Sequence, residues 1–252
     1  MHLSWSSDDK SVQLYQGNCI DFTFPKESIV ITDPPYNIGQ PKLIKGWKDD
    51  HKSEKRTVGN DFGQDFDILA LEPKDWVGCM PDTVICFYGA KRMENLLKTF
   101  RKGGYACHQL REIAEIVQDF HWCKPNPPPT MRAIGLRWGV ESGYVFRKKG
   151  TKHLVNKKIV SLPNFMVKSH GISLEHTTQK PLSVMKWLIR QFSVEGSLVV
   201  DPFMGSGVVG VGCIELGRKF IGIEQKKEYV ELSKKLISNA VNKKSCGFGF
   251  NF

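Results

Sequence analysis

Residues 197–224 constrain this chain most. A short apolar run at 197–200 meets Asp201, Pro202, Phe203, Met204, Gly205, Ser206 and Gly207; a small-residue stretch follows to Leu216, and a second apolar run covers 220–223. This reads as strand, tight glycine turn, helix and strand, a unit that closes only by laying the two strands side by side with the helix across them. Further up the chain, runs at 28–32 and 82–88 end in Asp33 and Gly89, as buried parallel strands do when their loops carry the chemistry. Residues 11–16 alternate and enter a turn at Gly17-Asn18, and residues 105–123 and 133–147 read as late strands flanking a proline-rich loop. Helical spacing marks 91–100, 181–192 (with Pro181 near the first turn) and 227–240. The expectation is an α/β fold, a doubly wound, mostly parallel sheet in one domain over 1–252.

Two stretches break that rhythm. Residues 37–68 are polar and lysine-rich, with Lys42 and Lys45 among six basic residues, and residues 147–158 add Lys148 and Lys149. Loops of that length in a compact domain usually carry function. With a formal charge of +10 and a pI near 9.2, they point to a polyanionic partner. The seven cysteines are scattered without a Cys-x-x-Cys pair, which argues against a disulfide framework or a zinc site and for a reducing, cytoplasmic setting. No run reaches membrane-spanning length, and the N-terminus does not resemble a signal peptide. The apolar tail at 246–252 has no assigned role.

Chemistry concentrates at two blocks. Gly205, Gly207 and Gly210 satisfy the G-x-G-x-x-G spacing, with Glu224 near the distance expected of a carboxylate that accepts from ribose hydroxyls. A nicotinamide dehydrogenase shares that fingerprint, but only about 28 residues follow Glu224, too few for the rest of a dinucleotide fold. Asp201, at a strand's carboxyl end, stands where open α/β sheets bind ligands.

The second block, Asp33-Pro34-Pro35-Tyr36, forms a rigid polar pocket. An exocyclic amine on a nucleobase is a poor nucleophile, because its lone pair is delocalised into the ring. Acceptors on its N–H bonds stabilise the charge that develops as an electrophile arrives. Asp33 offers a carboxylate and Pro34 a backbone carbonyl; the paired prolines hold both with little entropy to lose. Tyr36 can stack on the ring. Together the blocks read as methyl transfer to a nucleobase.

At these residues the chain resembles the DNA amino-methyltransferases, which methylate adenine N6 or cytosine N4, with the permuted block order of the beta class. Trp122, Lys124, Asn126, Pro127 and Pro129 are similar to a further segment of that family. His176, Lys180 and Pro181 are similar to the segment before the cofactor turn, and residues 220–224 to its second cofactor strand. The resemblance implies a Rossmann-like fold that binds S-adenosyl-L-methionine (AdoMet), with Phe203, Gly205 and Gly207 shaping the turn beside Met204 and Ser206. It also implies Glu224 on the ribose, Asn18 near the adenine, Lys180 near the methionine end, and Asp33, Pro34 and Tyr36 on a flipped base of double-stranded DNA. Asn37, Lys42, Lys45, Lys124, Asn126, Arg132, Lys148 and Lys149 are the expected nucleic-acid contacts, and a homodimer is expected from the same source.

An aspartate opening the tetrapeptide is commoner in adenine-N6 enzymes, which favours adenine over cytosine. The chain departs from the family in two places. Gly17-Asn18 stands where the family has Gly-Asp, and too few residues separate Phe146 from His176 for the usual recognition domain. Readout then falls to small loops, 37–68 and 147–175, or to a partner subunit. Methylation of an RNA base and a DNA-binding module that kept only the fold are the rival readings.

Overall fold

The computed structural model describes residues 1–34, 80–88, 114–127, 139–148, 163–169 and 179–245. Among the described residues, nine strands form a single sheet: β1 His2–Ser6, β2 Val12–Gln16, β3 Ile29–Thr32, β4 Thr83–Tyr88, β5 Ala114–Cys123, β6 Val140–Lys148, β7 Phe165–Val167, β8 Leu198–Asp201 and β9 Lys219–Glu224. Their spatial order is β1-β2-β9-β8-β3-β4-β6-β5-β7. The five pairings β2–β9, β9–β8, β8–β3, β3–β4 and β5–β7 are parallel. Those of β1–β2, β4–β6 and β5–β6 are antiparallel. The sheet is therefore mostly parallel, as the alternating pattern predicts.

The centre follows from side-chain chemistry. All four residues of β3, Ile-Val-Ile-Thr, are buried, because a central parallel strand is covered on both faces. Ile29 and Ile31 join one apolar cluster and Val30 the other; Phe220 and Ile221 split in the same way. Three helices lie over the first cluster: α1 Leu182–Phe192, α2 Val208–Glu215 and α3 Lys227–Ser245. In α1 the buried set Val184, Met185, Leu188, Ile189 and Phe192 makes one apolar stripe, as a 3.6-residue period requires. Helix α2 is buried almost all round and sits between α1 and α3. Its Gly210 permits this, since a Cβ there would lie 2.6 Å from Ile237 Cδ1 and 2.7 Å from Phe220 Cε1.

The expected strands near 11–16, 28–32, 82–88, 197–200 and 220–223 are present, and the two late stretches contain β5 and β6. Helix α3 continues to Ser245, past the expected end at 240. Strands β1 and β7 were not expected; both are short edge strands. Strand β7 takes three residues from the stretch expected as a recognition segment and pairs them with β5. The helix expected at 91–100, the basic loop at 37–68 and the tail at 246–252 lie outside the described residues. None of the described helices is long and apolar enough to cross a membrane.

Candidate active site

Strands β3 and β8 are neighbours at the middle of the sheet, yet the chain leaves them in opposite directions. From β3 the next strand is β4 on one side, and from β8 it is β9 on the other. Such a switch point opens a crevice at the strands' carboxyl ends. The ends here are Thr32-Asp33 and Asp201-Pro202. The Thr32 hydroxyl donates to Asp201 Oδ1 across 2.7 Å, and the Phe203 N–H donates to the same oxygen at 3.1 Å. One carboxylate thus joins segments 169 residues apart. Burial pushes the Asp201 carboxyl up to about 7, with Asp33 and Glu224 adding to the rise and the Thr32 and Phe203 hydrogen bonds opposing it.

After Asp201 the chain turns through two glycines with positive φ, Gly205 at 52° and Gly207 at 82°. An L side chain at Gly207 would be strained by that φ, and its Cβ would come within 2.9 Å of Ser233 Cβ and Ile237 Cδ1. The turn is held by backbone bonds from Met204 N to Ile223 O (3.0 Å) and from Gly207 N to Met204 O (2.9 Å). Glu224, at the end of β9, accepts from the Gly205 N–H through Oε2 and from the Lys226 N–H through Oε1, both at 2.9 Å. Burial raises its pKa despite these bonds. Next to it, Gly17 N–H donates to the Glu224 carbonyl at 2.9 Å.

Asn18 therefore comes to the same strand end. Its Oδ1 accepts from Ile20 N–H at 3.2 Å and caps the 3-10 helix Cys19–Asp21. The amide oxygen expected to serve the cofactor's adenine already has a partner within its own turn. Phe203 is half-buried and packs on the second apolar cluster. Ser206 is buried in the turn. The Met204 side chain is 3% exposed in the core, with its sulfur packed over Gly222, which leaves its backbone as the part that lines the turn. The hydrophobic effect outweighs any pull toward the crevice.

On the β3 side, Pro34 is buried and Asp33 half-buried. The Lys180 ammonium, 7% exposed, donates to Asp33 Oδ2 and lies 3.1 Å from Glu141 Oε2. It also stands 5.3 Å from the centroid of the Phe87 ring, a cation–π distance. Glu141 Oε1 accepts from Lys124 Nζ, which lies 4.6 Å over the Trp122 ring. Burial works against both charged forms. Even so, Asp33 and Glu141 hold Lys180 above its ordinary value, and Lys180 and Lys124 hold Glu141 below its own.

Sequence reasoning missed Glu141, Thr32 and Phe87. The available signals were a carboxylate one residue into a β-run and a polar β-branched residue immediately before Asp33. Among the expected nucleic-acid residues, Lys124 and Asn126 follow β5 at this rim. Lys148 does not lie there. Strand β6 runs antiparallel to β4, pairing Ser142 with the end of β4 and Arg147 with its start, which carries the backbone at Lys148 to the opposite rim, roughly 24 Å along the strand from Glu141. Pro35, Tyr36, Asn37, Lys42, Lys45, Arg132, Lys149 and His176 lie outside the described residues.

A switch-point crevice with a glycine turn and strand-end carboxylates on one side, and Asp33-Pro34 on the other, defines an AdoMet-dependent methyltransferase fold. The chain belongs to the N6-adenine/N4-cytosine DNA methylase family, whose model matches residues 28–235. It is 30% identical to the type II methyltransferase M2.MboI of Moraxella bovis, over 92% of this chain and 89% of that protein. It is 31% identical to M2.DpnII of Streptococcus pneumoniae, over 82% and 81%. Among solved structures it is similar to the M1.HpyAVI–SAM complex, with a TM-score of 0.64, 23% identity and coverage of 90% and 98%. The cytosine-N4-specific PvuII DNA methyltransferase superposes with a TM-score of 0.60 at 21% identity, covering 92% of each chain. The chain is a DNA methyltransferase that uses AdoMet.

Proposed function

We propose that this enzyme methylates the exocyclic N6 amine of adenine in double-stranded DNA, with the base turned out of the stack. AdoMet supplies an electrophilic methyl group. The protein's part is to present the amine to it. The Asp33 carboxylate and the Pro34 carbonyl accept the two N–H bonds, which returns electron density to nitrogen and stabilises the positive charge of the transition state. Tyr36 stacks on the extruded ring, and a base still inside a duplex cannot reach such a pocket.

On the cofactor side, the residues fit the group. The turn from Phe203 to Gly207 lets backbone approach closely, Glu224 keeps a carboxylate for ribose hydroxyls, and Lys180 stands by the methionine end. Asn18 occupies the adenine end, where its NH2 group rather than its capped oxygen is the freer function for hydrogen bonding. The single observation that carries adenine over cytosine is the aspartate at position 33, on which the tetrapeptide begins.

The test is incubation with radiolabelled AdoMet and unmethylated genomic DNA, followed by nucleoside analysis. Label in N6-methyladenine is expected. Label in N4-methylcytosine would keep the reaction and overturn the base, and label entering only RNA would overturn the substrate.

A further inference from the structure

A buried ammonium needs counter-charge, and Lys180 has two carboxylates where one would serve. Asp33 reaches it from the exit of β3 and Glu141 from the start of β6. Glu141 is itself held from behind by Lys124. The four charges alternate in the order Asp33, Lys180, Glu141, Lys124 and sum to zero, which makes their burial tolerable.

The alternation matters to the reaction. A positive charge develops on the target amine beside Asp33, and a cation sitting on Asp33 opposes it. A second anion behind Lys180 offsets that opposition and leaves the charge of Asp33 available. Building on the reading of Asp33 given above, we propose that Glu141 is a positioning residue for methyl transfer: it shares the Lys180 ammonium with Asp33, so that part of the Asp33 charge is left to stabilise the amine. Glu141 touches neither amine nor cofactor in this role and acts through Lys180.

Other groups face this pair. Asp201 and the buried Cys86 thiol both interact electrostatically with Asp33, and the Phe87 ring flanks Lys180. None of them carries a charge to the far side of Lys180, which Glu141 alone does among the described residues.

The experiment compares Glu141→Gln, Glu141→Asp, Lys180→Met and the Glu141→Gln/Lys180→Met double variant in DNA methylation, with AdoMet affinity measured separately by calorimetry. Glu141→Gln is expected to lower kcat about 10- to 100-fold with AdoMet affinity and KM for DNA unchanged. Glu141→Asp is expected to recover part of the loss.

On the Lys180→Met background, Glu141→Gln should change kcat by less than about twofold. A Glu141→Gln rate equal to that of the parent, or a loss that multiplies fully with Lys180→Met, would overturn the proposal. Should Glu141→Gln not fold, Glu141→Asp alone decides, since it retains the charge and moves it. Failure of the parent enzyme to methylate DNA would instead strike the proposed function.

Discussion

The two sides of the crevice are built differently. The cofactor side is mostly a contiguous stretch from Leu198 to Lys226, and its carboxylates accept chiefly from backbone N–H groups, Phe203 on Asp201 and Gly205 and Lys226 on Glu224, with the Thr32 hydroxyl joining on Asp201. The amine side draws Asp33, Lys124, Glu141 and Lys180 from four separate segments and joins them side chain to side chain. Backbone dipoles satisfy a carboxylate's lone pairs without cancelling its charge, so burial wins and Asp201 and Glu224 titrate high. Lysines cancel charge outright, so Glu141 titrates low although it is buried.

Substitution can break that contrast. The largest effect is expected from Asp33→Ala, which removes the acceptor facing the amine and leaves the turn untouched. If Asp33 is the acceptor proposed above, kcat should fall by about 100- to 1000-fold while AdoMet affinity, measured by calorimetry, stays near that of the parent. A near-parental rate would remove Asp33 from the reaction. On the other side, Gly207→Ala changes a single methyl group. The left-handed φ of 82° and the 2.9 Å approaches to Ser233 and Ile237 should cost about 1–3 kcal/mol of stability, read as a lower denaturation midpoint together with weaker AdoMet binding. An unchanged midpoint would show that the turn relaxes freely.

The same contrast explains what could be read from the sequence. The cofactor side was legible because its parts are neighbours in the chain: β-branched runs, a glycine turn and a small-residue helix that are meaningful together. Strand β3, uniformly apolar up to Thr32, was legible for the same reason. Glu141 was not, because its partners lie 17 and 39 residues away at Lys124 and Lys180, and a lone carboxylate in a β-run reads as solvent-facing. The backbone position of Lys148 is a matter of direction: the end of a strand reaches the crevice or the opposite rim depending on whether that strand is parallel to β4. Strands β1 and β7 are short edges whose burial is set by their neighbours. Met204 sat inside a binding motif, but its environment is decided by Gly222 across the sheet.

The smallest expected effect, and the one that separates the two sides most directly, is on stability against pH. A folded-state pKa of about 7 at Asp201, against an ordinary carboxylate value when unfolded, means that the folded chain binds that proton more tightly. Its stabilising contribution is fully present below the unfolded value and is lost as pH rises through about 7; Glu224, also raised, contributes with the same sign. Glu141 has the opposite sign, since its depressed pKa contributes stability above the ordinary value that is lost as pH falls below it. Between pH 5 and 8 Glu141 is already ionised in both states, so the cofactor side sets the slope and stability should decline across that range. Asp201→Asn keeps the oxygen that accepts from Thr32 and Phe203 but carries no charge to bury. It should flatten the decline, so that its advantage over the parent grows by about 2–3 kcal/mol between pH 5 and pH 8. Denaturant titrations at the two pH values measure this, and a parent and variant that run parallel would mean that Asp201 is ionised throughout and that the backbone donors on this side do more than satisfy its lone pairs.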